Sequence, residues 1–371
     1  MWSVVPLKKL PIKSIRPGMK VSQPVYDSFG NVLLESGITL TRHYIGRLLK
    51  HGIRSVYVED SFLPDAAPGD VISDQTRQKA ISQVKNLFME ASEGVIIGID
   101  EIQETVGSMV NQLSSNESIV NMLDQRSLDD YTFYHSVNVC VLSIMTGITM
   151  GYDEKDLHIL GTGAILHDLG KTKIPKEILN KSGRLTDEEF AIIKMHPAYG
   201  YELIKQTGEI DEIAALISYE HHERYNGSGY PEGKRNSAIH RFSRIVSIAD
   251  TYDAITAERI YKKASQPHEA YEMLAGSGNY LFDYLAVRSF LENIAAYPAG
   301  SLVRLTSGET AVVMETPKGF TFLPRVNVII DSAGRLLKEP RELRLYEMEN
   351  AAVQSVLTEE EFENLLKRAG N

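Results

Sequence analysis

The chain has 371 residues, 43% of them hydrophobic and 24% charged, the proportions of an ordinary soluble globular protein with room for two or three domains. A formal charge of −10 argues against a nucleic-acid polymer as the main partner, and a single cysteine, Cys140, excludes an internal disulfide framework and suits a reducing cytoplasm. No signal-peptide core opens the sequence, and its longest apolar stretch, Val137 to Met150, is short for a membrane span and broken by Asn138, Ser143, Thr146 and Gly147.

Residues 1–62 read as a small α+β regulatory domain. Alternating segments at Met19–Tyr26 and Asn31–Leu34 flank a turn at Asp27-Ser28-Phe29-Gly30, Thr41–Lys50 is helical, and Ser55–Val58 is a further strand. Residues 63–124 begin with the Pro/Gly/Ala-rich linker Leu63–Asp70 and continue as connecting helices, with Val84, Leu87, Phe88 and Ala91 on one apolar face through which two copies could pair as a homodimer. Residues 125–296 are dominated by helical patterns, including a Thr186-Asp187-Glu188-Glu189 capping box and a buried helix from Arg241 to Thr256. Residues 297–371 turn to short strands, Ser301–Leu305, Thr310–Glu315 and Arg325–Ile330, and finish as an amphipathic helix over Thr358–Arg368. The expected class is therefore mainly α: a helical bundle flanked by a small α+β domain and a small β-module with a terminal helix. Cys140, inside an apolar helical run, reads as a small buried hydrophobe rather than a nucleophile.

The chemistry concentrates in the third segment. His135, His167, Asp168, His196, His221, His222 and Asp250 are seven potential ligands of one type set, imidazole with carboxylate, and they exceed the three protein ligands of a typical mononuclear catalytic site. A lone histidine is more often a surface or core residue, but the ordered set favours two metals. A carboxylate can bridge such a pair, and two ions roughly 3.5–4 Å apart suit in-line displacement at phosphorus. His167-Asp168 closes a helical segment, where the backbone can turn neighbouring side chains toward one cluster, so Asp168 is the natural bridge. Lys171 either points its ammonium at the same pocket or is a solvated surface lysine. His196-Pro197 marks a helix start or a kink. Asp250 and Asp253 share a helix face; Asp253 makes structural hydrogen bonds or orients a ligand histidine. The loop Gly227-Ser228-Gly229-Tyr230-Pro231 lets the backbone approach a ligand and offers a ring for stacking on a base, while Arg259 and Lys262 suit phosphate or guanine edges.

In this order, His167-Asp168, Lys171, His196, His221-His222-Glu223, Gly227-Ser228-Gly229-Tyr230-Pro231 and Ala249-Asp250-Thr251-Tyr252-Asp253-Ala254 resemble the HD-GYP domain of the HD phosphohydrolase superfamily, over roughly residues 125–295. The resemblance implies a helical HD-type bundle holding iron or manganese and a cytoplasmic bacterial signalling hydrolase, a phosphodiesterase that converts cyclic di-GMP to pGpG and, in many members, GMP. It makes the seven residues the metal ligands, with Asp168 bridging, and Asp168 and Lys171 the catalytic pair. Lys171, Gly229, Tyr230, Pro231, Arg259 and Lys262 become the substrate-binding residues. Two positions depart from the family pattern. Tyr131 stands where three-metal members carry a glutamate, which implies a binuclear centre, and Asn226 replaces an aspartate while keeping a turn-forming amide. A catalytically silent cyclic di-GMP receptor, and a hydrolase of another cyclic dinucleotide, remain as alternatives.

Overall fold

The structure is a computed structural model, and it describes residues 7–12, 15–22, 24–26, 32–51, 53, 55–59, 71–94, 98–115, 131–181, 183–257 and 265–369. The chain forms two compact units, one of residues 71–117 and 130–293, the other of residues 1–70, 118–129 and 294–371. The class is mainly α, as composition and pattern led us to expect.

In the N-terminal segment β1 (Leu7–Pro11) pairs antiparallel with β4 (Ser55–Glu59), and β2 (Val25–Tyr26) with β3 (Val32–Leu34). The turn expected at residues 27–30 lies outside the described residues. Helix α1 (Arg42–Lys50) starts where the Thr41 hydroxyl accepts from the Tyr44 N–H, and buries Leu48 against Val21, Leu40, Val56 and Val58. β1 escapes a period-two reading because Lys8-Lys9 interrupts the alternation.

The helical unit begins with α2 (Asp74–Glu93) and α3 (Ile99–Ser114), which lie in the same compact unit as the histidine-bearing helices. Val84, Leu87, Phe88 and Ala91 are all buried, so the apolar face of α2 is spent on intramolecular packing. Next come α4 (Tyr131–Thr149), α5 (Glu154–Leu166), a 3-10 turn at Leu169–Lys173, α6 (Lys176–Leu179), α7 (Asp187–Ile193), α8 (His196–Thr207) and α9 (Glu212–Glu220). After a long loop follow α10 (Arg241–Thr256), α11 (Pro267–Ala275) and α12 (Tyr284–Leu291). The capping box opens α7, and Pro197 sits in the first turn of α8, so His196-Pro197 is a helix start. α4 is buried from His135 to Gly147, and among the described residues no helix is long and apolar enough to cross a membrane. Cys140 is fully buried, with its thiol pKa pushed up by burial, as befits a core residue.

Two glycines let the helix ends converge. A Cβ on Gly170 would overlap the carbonyl oxygen of His196 and the backbone of Gly200, and a Cβ on Gly200 would overlap the Ser218 hydroxyl. The 3-10 turn after Asp168 and the start of α8 therefore approach to backbone distance, and the Ser218 side chain of α9 lies against Gly200.

The C-terminal segment is a five-stranded antiparallel sheet in the order β8-β7-β6-β5-β9, from β5 (Leu302–Leu305), β6 (Thr310–Glu315), β7 (Arg325–Ile330), β8 (Leu336–Arg344) and β9 (Val353–Val356). Ala311 and Val313 point to one apolar cluster and Val312 to another, the period of two that a sheet covered on both faces requires. Helix α13 (Glu359–Ala369) covers the second face with Phe362, Leu365 and Leu366.

Candidate metal centre

Three of the histidines sit at helix boundaries and are turned the same way. His167 caps the C-terminus of α5, His196 opens α8, and His221 caps the C-terminus of α9. Their Nδ1 atoms each lie 2.7 Å from the carbonyl oxygen three residues earlier, on Ala164, Ile193 and Ser218. A helix end supplies such carbonyls because its last turn lacks intrahelical partners. A carbonyl only accepts, so Nδ1 carries a proton and each ring points its Nε2 inward. The Nε2 atoms of His196 and His221 consequently face one another at 3.2 Å. Two nitrogens so placed suit the coordination of a shared cation.

His135, from α4, is held differently. Its Nδ1 lies 2.7 Å from Asp253 Oδ2 and its Nε2 3.1 Å from Asp250 Oδ1, so the two α10 carboxylates grip one ring from opposite sides. Of the two roles open to Asp253, orienting a histidine is the one the geometry displays.

Asp168 stands in the middle. Its Oδ2 faces His167 Nε2 at 3.3 Å and His135 Nε2 at 3.7 Å; its Oδ1 faces His196 Nε2 at 3.4 Å and His221 Nε2 at 3.8 Å. The Lys171 ammonium donates to Oδ2 at 2.5 Å while its side chain stays 26% exposed, so it is in the pocket but reachable from outside. His167 Nε2 and Asp168 Oδ1 are buried yet have no hydrogen-bond partner of acceptable geometry. Orphaned polar atoms are costly in a protein interior, and here both belong to a ring of donors of the type divalent ions take. The ligand atoms of His135, His167 and Asp250 lie within 4.8 Å of one another, and so do those of His196, His221 and His222, and of His167, Asp168 and His221. The residues fit divalent metal binding.

The electrostatics agree. Burial opposes charge on Asp168, but the Lys171 ammonium and His167 outweigh it and hold the carboxyl well below its usual range. Asp250 is held low against burial by its bond to His135 and by the surrounding imidazoles. Burial, with like charge from neighbouring rings, keeps His221 neutral; for His222 burial outweighs the opposing pull of Asp250. Burial also works against a charge on His135, yet Asp250 and Asp253 raise its pKa from 6.5 to about 9. The carboxylate-rich side of the cluster thus holds a proton where metal binding would release one.

The loop after α9 closes over this cluster. Glu223 accepts from the backbone N–H groups of Glu232, Gly233 and Lys234 at 2.8, 3.1 and 2.9 Å, and Glu220 accepts from Lys234 Nζ and the His240 N–H, both at 2.8 Å. A Cβ on Gly229 would overlap the backbone of His222 to Arg224, so only glycine lets the loop fold this tightly. The Asn226 amide oxygen accepts from the Ser228 N–H at 3.0 Å and hydroxyl at 2.7 Å, keeping the turn that an aspartate would make. Tyr230, joined to Pro231 by a cis peptide, lays its ring 4.7 Å from that of His222 at a tilt of 31°, and meets Phe190 edge-on at 6.4 Å.

All seven expected ligands converge, and Lys171, Gly229, Tyr230 and Pro231 border them. Arg259 and Lys262 lie outside the described residues, as does the side chain of Tyr131. Pattern reading gave no role to Glu220, Glu223, Asn138 or Arg77. Their signal was faint: two glutamates three apart at a helix end, and polar residues within apolar helical faces.

Residues 107–284 match the family described as HD domain, and residues 302–365 the one described as KOW domain associated with HD domain. A cyclic di-GMP phosphodiesterase of Pseudomonas aeruginosa is 29% identical over 366 residues, which cover 89% of this chain and 87% of that protein. A cyclic di-GMP phosphodiesterase response regulator of Xanthomonas campestris pv. campestris is 40% identical over 225 residues, 60% of this chain and 56% of that protein. Among solved structures, an HDG"Y"P protein from Bdellovibrio bacteriovorus has a similar fold, with a TM-score of 0.51 at 20% identity, covering 76% of this chain and 98% of that one.

Proposed function

We propose that this chain, whose residues 107–284 match the family described as HD domain, is a metal-dependent phosphodiesterase that hydrolyses cyclic di-GMP to pGpG. The observation that carries this reading is the placing of Asp168, one carboxylate oxygen toward His135 and His167 and the other toward His196 and His221. That division supports a binuclear centre bridged by Asp168, with His135, His167 and Asp250 on one side and His196, His221 and His222 on the other; iron or manganese is the proposed occupant. Held by these residues, such ions would supply a water of lowered pKa and polarise the phosphoryl oxygens.

The chain's own groups do the rest. Lys171, partly exposed beside Asp168, neutralises charge that builds on the non-bridging oxygens. Tyr230 offers its ring to a guanine, and the tight backbone at Gly229 and Pro231 keeps that ring over the His222 side of the cluster. Arg259 and Lys262 serve as further cationic contacts to phosphate or base. No nucleophilic side chain is required, in keeping with Cys140 being sealed in the core.

The test is anaerobic purification, metal analysis, and chromatography of cyclic di-GMP digests beside Asp168→Asn. Two ions per wild-type chain are expected, with loss of the bridge lowering both occupancy and turnover, the latter by ~100-fold or more given that even an outer-sphere partner is worth 10–100-fold. Full metal content and turnover in Asp168→Asn removes the bridging role. Tight nucleotide binding with no metal-dependent product makes the protein a receptor, and faster cleavage of a hybrid cyclic dinucleotide reassigns the substrate.

A further inference from the structure

Arg77 lies on α2, ahead of the segment that matches the HD domain, and yet it reaches the metal centre through a continuous chain of side chains. Its Nη1 donates to Asn138 Oδ1 at 2.8 Å, Asn138 Nδ2 donates to Asp253 Oδ1 at 3.0 Å, and Asp253 Oδ2 lies 2.7 Å from His135 Nδ1. Asn138, Asp253 and His135 are 5%, 1% and 2% exposed, so the relay runs through a low-dielectric interior where misalignment is expensive.

The order of groups leaves no freedom. A guanidinium only donates and a carboxylate only accepts, so the Asn138 amide must turn its oxygen to Arg77 and its nitrogen to Asp253. That orientation presents Asp253 squarely to the His135 ring and fixes the ring's rotation, which aims Nε2 at Asp250 and Asp168. Without the guanidinium the amide is free to flip, its oxygen then opposes the carboxylate, and the carboxylate loses its hold on the ring.

We propose that Arg77 is a positioning residue of the metal centre, setting the orientation of His135 through Asn138 and Asp253 and making the affinity for one ion depend on how α2 is seated. The proposal rests on the two-metal reading above. It places control of the centre on a helix outside the HD-domain match.

The experiment measures metal binding to the full-length apoprotein by titration with Mn²⁺, alongside hydrolysis of cyclic di-GMP, for the wild type, Arg77→Met, Arg77→Lys and Gln112→Ala. Arg77→Met keeps the apolar stem and removes the donor. Gln112→Ala serves as the structural control, because Gln112 ties down the start of α2, accepting from the Ser73 N–H at 2.8 Å and donating to Thr76 Oγ1 at 2.7 Å, without touching the relay. Arg77→Met is expected to weaken one of the two binding events by roughly 10–100-fold, the range for a lost outer-sphere partner, with KM unchanged and kcat reduced. Arg77→Lys recovers part of the loss, and Gln112→Ala binds both ions as the wild type does. Wild-type metal affinity in Arg77→Met overturns the proposal, and so does an equal loss in Arg77→Met and Gln112→Ala, which would mark a general loosening of α2. Should Arg77→Met fail to fold, Asn138→Ala breaks the same chain, and unchanged affinity there is equally fatal. A wild type that takes up no metal counts against the two-metal reading instead.

Discussion

Within one cluster the protein holds imidazoles by two different means. His167, His196 and His221 are locked by main-chain carbonyls at helix ends, whereas His135 is locked by a side chain, Asp253, that is itself held by Asn138 and Arg77. A carbonyl goes wherever the helix goes, so the first three rings are as rigid as the packing of α5, α9 and the junction of α7 with α8. The fourth depends on three side chains from three helices, any of which a single substitution can remove. The backbone-held rings should thus fail only when the fold fails, and the side-chain-held ring should be adjustable with the fold intact.

The largest effect should come from striking the backbone-held rings through their packing. Gly170→Ala forces a methyl into the His196 carbonyl and the Gly200 backbone, contacts that main chain cannot give way to. Overpacking of this kind costs about 1–3 kcal/mol or more, read as a lower thermal midpoint of the apoprotein, and it should cost both ions together. If Gly170→Ala lost metal with an unchanged midpoint, the equation of backbone anchoring with fold stability would be wrong.

Asp253→Ala comes next and should separate the two sides. It leaves His135 without its anchor, so one ion weakens by about 10–100-fold while the other, on His196, His221 and His222, keeps its affinity. Stepwise metal titration distinguishes this from a joint loss, which would mean that the bridge at Asp168 couples the sides too strongly to be tuned apart.

The same contrast explains what was legible in the sequence. The seven ligand candidates were readable because residue type and order carry the chemistry, and helix α10 was readable from end to end because apolar residues repeat on its buried faces between clear boundaries. The signal for Asp253 was its three-residue spacing from Asp250, which put both on the face that now grips His135. Arg77 gave no such signal, since its partner Asn138 is 61 residues away and only tertiary packing joins them. Strands β8 and β9 were missed for a different reason: they are the two edges of the sheet, largely exposed, and β8 carries charges and Pro340 where a core strand would alternate with apolar residues.

Glu223 offers the smallest effect and the finest test, because it belongs to neither side. Its carboxylate gathers three successive backbone N–H groups of the loop that carries Tyr230, and hydrogen bonds to a charged group contribute about 1.5–3 kcal/mol each when intact. Glu223→Gln keeps the size and one accepting oxygen but loses the charge, so the loop loosens without releasing the helices beneath it. Both ions should stay bound, since none of the ligand imidazoles is anchored by Glu223, and the thermal midpoint should fall only slightly. The expected change is in substrate binding, a rise in KM of about tenfold, equivalent to 1.4 kcal/mol, with kcat nearly preserved because Lys171 and Asp168 are untouched. A fall in kcat at constant KM would instead place the loop among the groups that act on the reacting phosphate, and Tyr230 would then need a role beyond holding a base.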